Sequence, residues 1–154
     1  MLHSVELGDG RGRMFGDVDH LVIGPPGVVS INTKHHPAGR VVLDGDQLYV
    51  NRHPTDYVAK ARLEAERVAG LLRSALAAAG RPDLAQHVPV RPVVALVDVR
   101  LTVEAWPAGV TVTMSRQLLE RLRAFPAALD TEQAAAVYEV ARLKQTWNPV
   151  PGRR

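Results

Sequence analysis

Two apolar, β-branched runs, Asp17 to Ile23 and Val28 to His36, are joined by Gly24-Pro25-Pro26-Gly27. Proline cannot donate to a central ladder and glycine tolerates unusual dihedrals, so this pattern predicts an antiparallel hairpin with both prolines at its tip. In that register residues whose numbers sum to 51 face one another, Gly24 with Gly27 and Asp19 with Asn32. Side chains alternate across a strand, which puts Asn32 and Lys34 on one face and Ile31 and Thr33 on the other. Asp19 joins the first face, because directly opposed residues hold their Cβ atoms roughly 4.5 to 5.5 Å apart. An acid, an amide and an ammonium are thus expected together. Two readings fit: a site for a cation, or the polar outer face of an edge hairpin. In the second, Lys34 pairs with Asp17 across the same register, an ion pair worth about 0 to 1 kcal/mol.

The surrounding chain narrows the chemistry. With no cysteine there is no disulfide, zinc knuckle or thiol nucleophile, which agrees with an intracellular protein. His35 and His36 are neighbours whose side chains point to opposite faces, a poor spacing for zinc. Gly8-Asp9-Gly10-Arg11-Gly12-Arg13 is glycine-rich but leads into a strand, so it is not a nucleotide-binding loop. No serine stands in a nucleophile-elbow pattern. Hydrophobic residues at 46% and charged residues at 23% are ordinary globular usage. No apolar run approaches the eighteen or so residues of a membrane span and no leader pattern opens the chain, so a soluble, cytoplasmic protein is expected. The formal charge of +3 suits a polyanionic partner. It is not concentrated at the hairpin, since residues 1 to 60 carry six Lys or Arg against seven Asp or Glu, although five of the six histidines lie there.

Taken in order, Leu2 to Leu7 is a candidate first strand, and residues 8 to 13 a turn or solvated loop. His35 to Arg40 reads as a connection to a second hairpin, Val41-Val42-Leu43 against Gln47 to Val50. A helix opens at Thr55 or Asp56 and ends before Gly80, with Ala61, Ala65, Val68, Leu72 and Ala75 or Leu76 on one face. Glu64 and Glu66 on that helix could replace a missing site acid, but charges on a long helix usually form a solvated face. Val93 to Val97 is nearly continuous apolar and follows a helix, the order of a parallel β-α-β crossover. Val110 to Met114 is a further strand, Ser115 caps a helix to Ala124, and Asp130 with Gln133 predicts a capping box for a last helix to about Gln145. Trp147 is expected in the core or a lid. The expected whole is one α/β three-layer domain over residues 1–148 with a loose tail at 149–154.

Gly16 to Val28, followed by Ile31-Asn32-Thr33-Lys34, resembles the actinobacterial type of the nuclease-related domain (NERD) family, most densely over residues 15 to 70. That family is similar to the restriction-endonuclease-like group, whose active site is an aspartate followed on the next strand by an acid-x-lysine. The resemblance implies a three-layer α/β/α domain with a mixed central sheet and a DNA-related role. Carried over by position, Asp19 matches the metal-binding aspartate and Lys34 the catalytic lysine, while Asn32 stands where the wider group has glutamate or aspartate. Asn32 can still offer a carbonyl oxygen but no charge. The family also usually begins with a helix carrying a glutamate, whereas this chain opens at about its first strand. A natural short form, a misplaced start or an element from another subunit would each account for that.

Two functions follow. One is a Mg²⁺- or Mn²⁺-dependent nuclease with catalytic Asp19, Asn32 and Lys34, in which Asp19 and Asn32 hold the metal weakly and His20, His35, His36, Arg40, Arg11 and Arg13 contact DNA. The other is a non-catalytic nucleic-acid-binding or assembly module that keeps the fold. A homo-oligomer is expected, since the sheet surface that the usual first helix would cover is apolar.

Overall fold

In the computed structural model of the chain, which describes residues 1–151, the Gly-Pro-Pro-Gly turn joins β2 (Met14–Gly24) to β3 (Gly27–Asp44). The antiparallel register runs from Gly24↔Gly27 to His20↔Ile31, every pair summing to 51 as the symmetry of the turn requires. Gly27 is fixed by two constraints: its φ is 101°, and a Cβ there would lie 2.6 Å from the Pro89 carbonyl oxygen. That carbonyl accepts from the Val28 amide and ties the turn to the start of β6 (Val90–Ala105).

β3 organises the sheet. β6 runs parallel to it from Val28↔Val90 to Asp44↔Ala105 along one edge. On its other edge lie two different partners, β2 opposite residues 27 to 31 and β4 (Gln47–Val50) opposite residues 41 to 44. Between them, residues 32 to 40 have no strand partner on that edge among the described residues. β1 (Leu2–Gly8) extends the sheet beyond β2, β5 (His53–Thr55) beyond β4, and β7 (Thr111–Met114) lies parallel to β6. The sheet is therefore mixed, with seven strands.

The residues read as a connection, His35 to Arg40, remain within β3 as a bulge with Ala38 at φ 53°. They stay extended because β6 keeps pairing across the bulge, from His35↔Val97 to Gly39↔Val99, where Asp98 has φ 58°. The β3–β6 pair bends at this level. Val93 pairs with Thr111, yet only residues 106 to 110 lead back from the end of β6. Five or six residues span at most about 20 Å, far short of the roughly 40 Å that a straight strand would cover from Val93 to Ala105.

The bend folds the sheet around α1 (Tyr57–Ala78). Val58, Ala61, Ala65, Val68, Leu72 and Leu76 form its buried stripe, the expected 3.6-residue face, with Ala75 at the margin. Its first half packs with Val41, Leu43, Leu48, Val94 and Leu96, and its second half with Leu7, Val18, Leu21 and Val28. Each fully buried Val or Leu contributes roughly 1.5 to 3 kcal/mol, so this stripe fixes the helix on the sheet. The Asp56 and Thr55 side chains cap nothing; Thr55 Oγ1 donates to the Leu48 carbonyl instead.

α4 (Thr131–Ala141) and α5 (Lys144–Trp147) complete the α1 layer, and Val137, Ala141 and Trp147 close over Val5, Leu7 and Leu21. The chain's own last helices thus cover this face of β1 and β2. The Asp130–Gln133 capping box forms with both hydrogen bonds. The last helix stops at Ala141 rather than near Gln145, because Leu143 is extended and the Trp147 indole donates back to the Ala141 carbonyl. Trp147 is core. On the opposite face a 3₁₀ turn (Ser115–Gln117), with no side-chain cap, leads into α3 (Leu118–Ala124), and Leu118, Leu122 and Phe125 cover Val29, Ile31, Val93 and Ala95. This gives three layers. β5 and α2 (Pro82–His87) were not expected from the sequence pattern. Of the tail, residues 152–154 lie outside the described residues; just before it, Asn148 Oδ1 accepts from the Gly10 amide at 2.7 Å. No helix among the described residues is long and apolar enough to cross a membrane.

Candidate functional site at the gap between β2 and β4

The free edge of β3 carries the candidate residues. Val28, Ser30, Asn32 and Lys34 all project towards α1, as strand alternation demands. Asp19 is placed by a break in β1 and β2. Leu2, Val5 and Leu7 share one core with Leu21 and Val18, spacings of three that strict alternation forbids, and the change falls at Ser4 (φ 50°) opposite Asp19. The β2–β3 ladder consequently ends at His20↔Ile31, and Asp19 is not paired with Asn32 through the backbone. Its carboxylate takes over the ladder's role: Asp19 Oδ2 accepts from the Thr33 amide at 2.8 Å.

Asn32 is 8% exposed, and its Nδ2 donates to Glu64 Oε2 on α1. Its Oδ1 accepts no hydrogen bond among the described residues. Glu64 is half-buried, and burial pushes its carboxyl above the ordinary range. The Asn32 hydrogen bond and the Lys34 charge oppose that shift, whereas the negative charges of Asp17 and Asp19 add to it. The Lys34 ammonium lies 4.7 Å from the centroid of the Tyr57 ring, a cation–π contact, and among the described residues it makes no ion pair with Asp17 or any other acid. Tyr57 also holds His36, Oη to Nε2 at 2.9 Å. One rung below Asn32, Ser30 is 1% exposed and its hydroxyl has no partner among the described residues.

The other candidates are dispersed. His36 shares the α1 side of β3 with Lys34, but exposed His35 is 3.8 Å from Asp98. His20 meets His3, Nδ1 to Nδ1 at 2.7 Å, on the surface. Arg40 is exposed beside Asn51, whose Oδ1 accepts from the Arg40 amide. Arg11 and Arg13 lie in the β1–β2 loop, where both backbone amides donate to Asp9. The guanidinium carbons of Arg13 and Arg67 lie 5.6 and 5.1 Å from the centroid of the Phe15 ring, Arg67 also donates to the Phe15 carbonyl, and Arg67 is one helical turn beyond Glu64.

The sequence pattern names Glu64, with Glu66, as a replacement for the missing site acid but favours a solvated helix face for both, and it does not place Tyr57 or Arg67 in this neighbourhood. A signal for Glu64 was present: it stands three residues after Ala61 and four before Val68, at the margin of the apolar stripe rather than on the opposite face. Tyr57, two turns earlier, lies on the same margin. Among the described residues no three His, Cys, Asp or Glu side chains converge closely enough to hold a metal ion by themselves. The donor set around Asn32 is instead two carboxylates and an amide, all oxygen, which suits a hard cation that keeps part of its water shell. A cleft of about 760 Å³, lined by Leu71, Ala75, Val140 and Leu143 among others, shares no residue with this site.

The sequence model of one family, described as nuclease-related domain (NERD), matches residues 1–97, from β1 to the middle of β6. Comparison with curated proteins and with solved structures gives no match.

Proposed function

The chain belongs to the nuclease-related domain family, and on that premise we propose that it is a divalent-metal-dependent phosphodiesterase acting on DNA. The observation that carries the reading is the Asn32–Lys34 segment of β3, without a strand partner among the described residues on its β2 and β4 edge and bordered there by the Asp19 carboxylate. A phosphodiester can approach a free strand edge that a paired strand would block. Asp19 and the Asn32 carbonyl oxygen would hold Mg²⁺ or Mn²⁺; when bound, the cation polarises the phosphate and lowers the pKa of an attacking water. Lys34 stabilises the negative charge that grows on the phosphoryl oxygens, and Tyr57 keeps its ammonium at the mouth of the site. His36 sits beside it as a donor to a neighbouring phosphate.

Arg40, Arg11 and Arg13, with His20 and His35, bind the DNA backbone less specifically in this reading, so affinity should fall steeply with added salt. The second reading, a DNA-binding module without cleavage, is favoured by one observation, the amide at position 32. Incubating supercoiled plasmid with the protein and Mn²⁺, and measuring binding to a labelled duplex at several salt concentrations, tests both. Metal-dependent strand breaks support the nuclease. Salt-sensitive binding without breaks supports the module. Absence of both refutes the two readings together.

A further inference from the structure

We propose that Glu64, reaching from α1 to the side of Asn32, supplies the second carboxylate of the metal site, so that Asp19, the Asn32 carbonyl oxygen and Glu64 form one ligand set. The inference rests on the metal-dependent reading above and adds a residue to it from a different element of the fold. Position 32 carries an amide where a carboxylate would complete an oxygen cage, and the side chain that touches this amide is itself a carboxylate. The contact fixes the amide's orientation. With Nδ2 committed to Glu64, Asn32 Oδ1 is turned away from the helix contact, and it is an unpartnered acceptor on a side chain more than nine-tenths buried. Asp19 is similarly half-committed, with Oδ2 on the Thr33 amide and Oδ1 without a partner among the described residues.

Charge supports the same assignment. Asp17 and Asp19 lie close enough for their negative charges to act on Glu64, Lys34 is the cation near Glu64, and Lys34 is 4.7 Å from the Tyr57 ring rather than in an ion pair. Folding has gathered more negative charge here than the chain neutralises. A second acid brought by a helix keeps the charge of the site while leaving β3 free to use Asn32 as the bridge between helix and strand. Such a set offers two anionic oxygens and one neutral oxygen, a number that leaves room for the waters a small hard cation retains.

Titration calorimetry with Mn²⁺ on the full chain separates this inference from the reading beneath it. Glu64→Gln keeps the size of the side chain and an oxygen to accept from Asn32, but removes the charge. The expected result is at least a ten-fold weaker Mn²⁺ affinity in Glu64→Gln and in Asp19→Asn, with a correspondingly smaller Mn²⁺-induced rise in thermal midpoint in both. Moving the carboxylate back to the strand, in the double variant Asn32→Glu/Glu64→Gln, should restore affinity to within a few-fold of the parent. If Asp19→Asn loses affinity and Glu64→Gln does not, Glu64 is no ligand and the inference fails while the metal-dependent reading stands. A loss in Glu64→Gln that the double variant does not restore assigns Glu64 to structure alone and also overturns it. Failure of the parent to bind Mn²⁺, or binding indifferent to Asp19→Asn, removes the metal-dependent reading and this inference with it.

Discussion

Helix α1 touches both hairpins built on β3, and it does so in opposite ways. At the β3–β4 turn, Arg62 grips Asp46 with two hydrogen bonds of 2.7 and 2.8 Å, and its Nη2 also donates to the Ala108 carbonyl. At the open end of the β2–β3 hairpin, Glu64 meets Asn32, a neutral partner, with Asp17 and Asp19 nearby. The two helix residues are only two positions apart. One contact is a closed ion pair on the surface; the other leaves a half-buried carboxylate short of positive charge. A structural contact is expected to satisfy its own charges, because an uncompensated one costs stability. The Glu64 side of the helix is therefore where a ligand from outside has something to complete.

The largest expected effect lies on catalysis. Lys34→Ala should reduce Mn²⁺-dependent plasmid cleavage by at least about 100-fold, the scale of losing one charge-stabilising donor, whereas Arg62→Ala should leave it near the parent level. Equal loss in both variants, measured as initial rates of strand breakage, would erase the distinction between the two contacts.

Next comes the balance of charge at residue 32. Asn32→Glu removes the hydrogen bond to Glu64 and sets two carboxylates against each other, a cost of about 1 to 3 kcal/mol without metal. For a domain of this size that corresponds to roughly 2 to 4 °C of thermal midpoint per kcal/mol. Added Mn²⁺ should recover most of it. A metal-free midpoint unchanged from the parent would mean that the two side chains do not meet.

A smaller effect, and of opposite sign at the two contacts, is expected in the pH dependence of stability. The folded Glu64 carboxyl titrates above its unfolded value of about 4.3, because it is partly buried. Ionising it disfavours the folded state, so its penalty is absent below the unfolded pKa and complete above the raised folded one. Asp46 behaves oppositely: the Arg62 guanidinium holds its carboxyl below the ordinary range. Its contribution is present above about pH 3.9 and is lost as pH falls through the folded value. In metal-free buffer Glu64→Gln should thus raise the midpoint by a few degrees at pH 7 and by nothing near pH 4. Asp46→Asn should lower it slightly at pH 7, with the difference fading in acid. Parallel curves for parent and Glu64→Gln between pH 4 and pH 7 would contradict the burial of Glu64.

The smallest effect belongs to Ser30. Its buried hydroxyl has no partner among the described residues, so Ser30→Ala should be neutral or stabilising by up to about 1 kcal/mol in a metal-free chemical melt. A clear loss of stability would mean that the hydroxyl is satisfied in solution and belongs to the network around Asn32.

The amino-acid sequence was decisive wherever the governing interactions are local. Two prolines flanked by glycines set the hairpin register from Gly24↔Gly27 to His20↔Ile31, the 3.6-residue spacing of Val58 to Leu76 set the buried face of α1, and Asp130 with Gln133 set a helix start. Asp19, Asn32 and Lys34 were legible as candidates for the same reason, since strand alternation converts spacing into shared faces. Tertiary structure decided what local rules cannot reach. The bulge that carries β3 through His35 to Arg40 persists because a parallel strand 62 residues later in register supports its other edge, as the pairing of Asn32, Thr33 and Lys34 with Val94, Ala95 and Leu96 shows. The free edge between β2 and β4 exists only because two hairpins share one strand. Glu64 meets Asn32 across 32 positions of chain, a contact fixed by the angle at which a buried stripe seats a helix on a bent sheet. Sequence periodicity gives the face of such a helix but not its rotation at the margin, and at that margin one acid becomes solvent-facing and another meets Asn32.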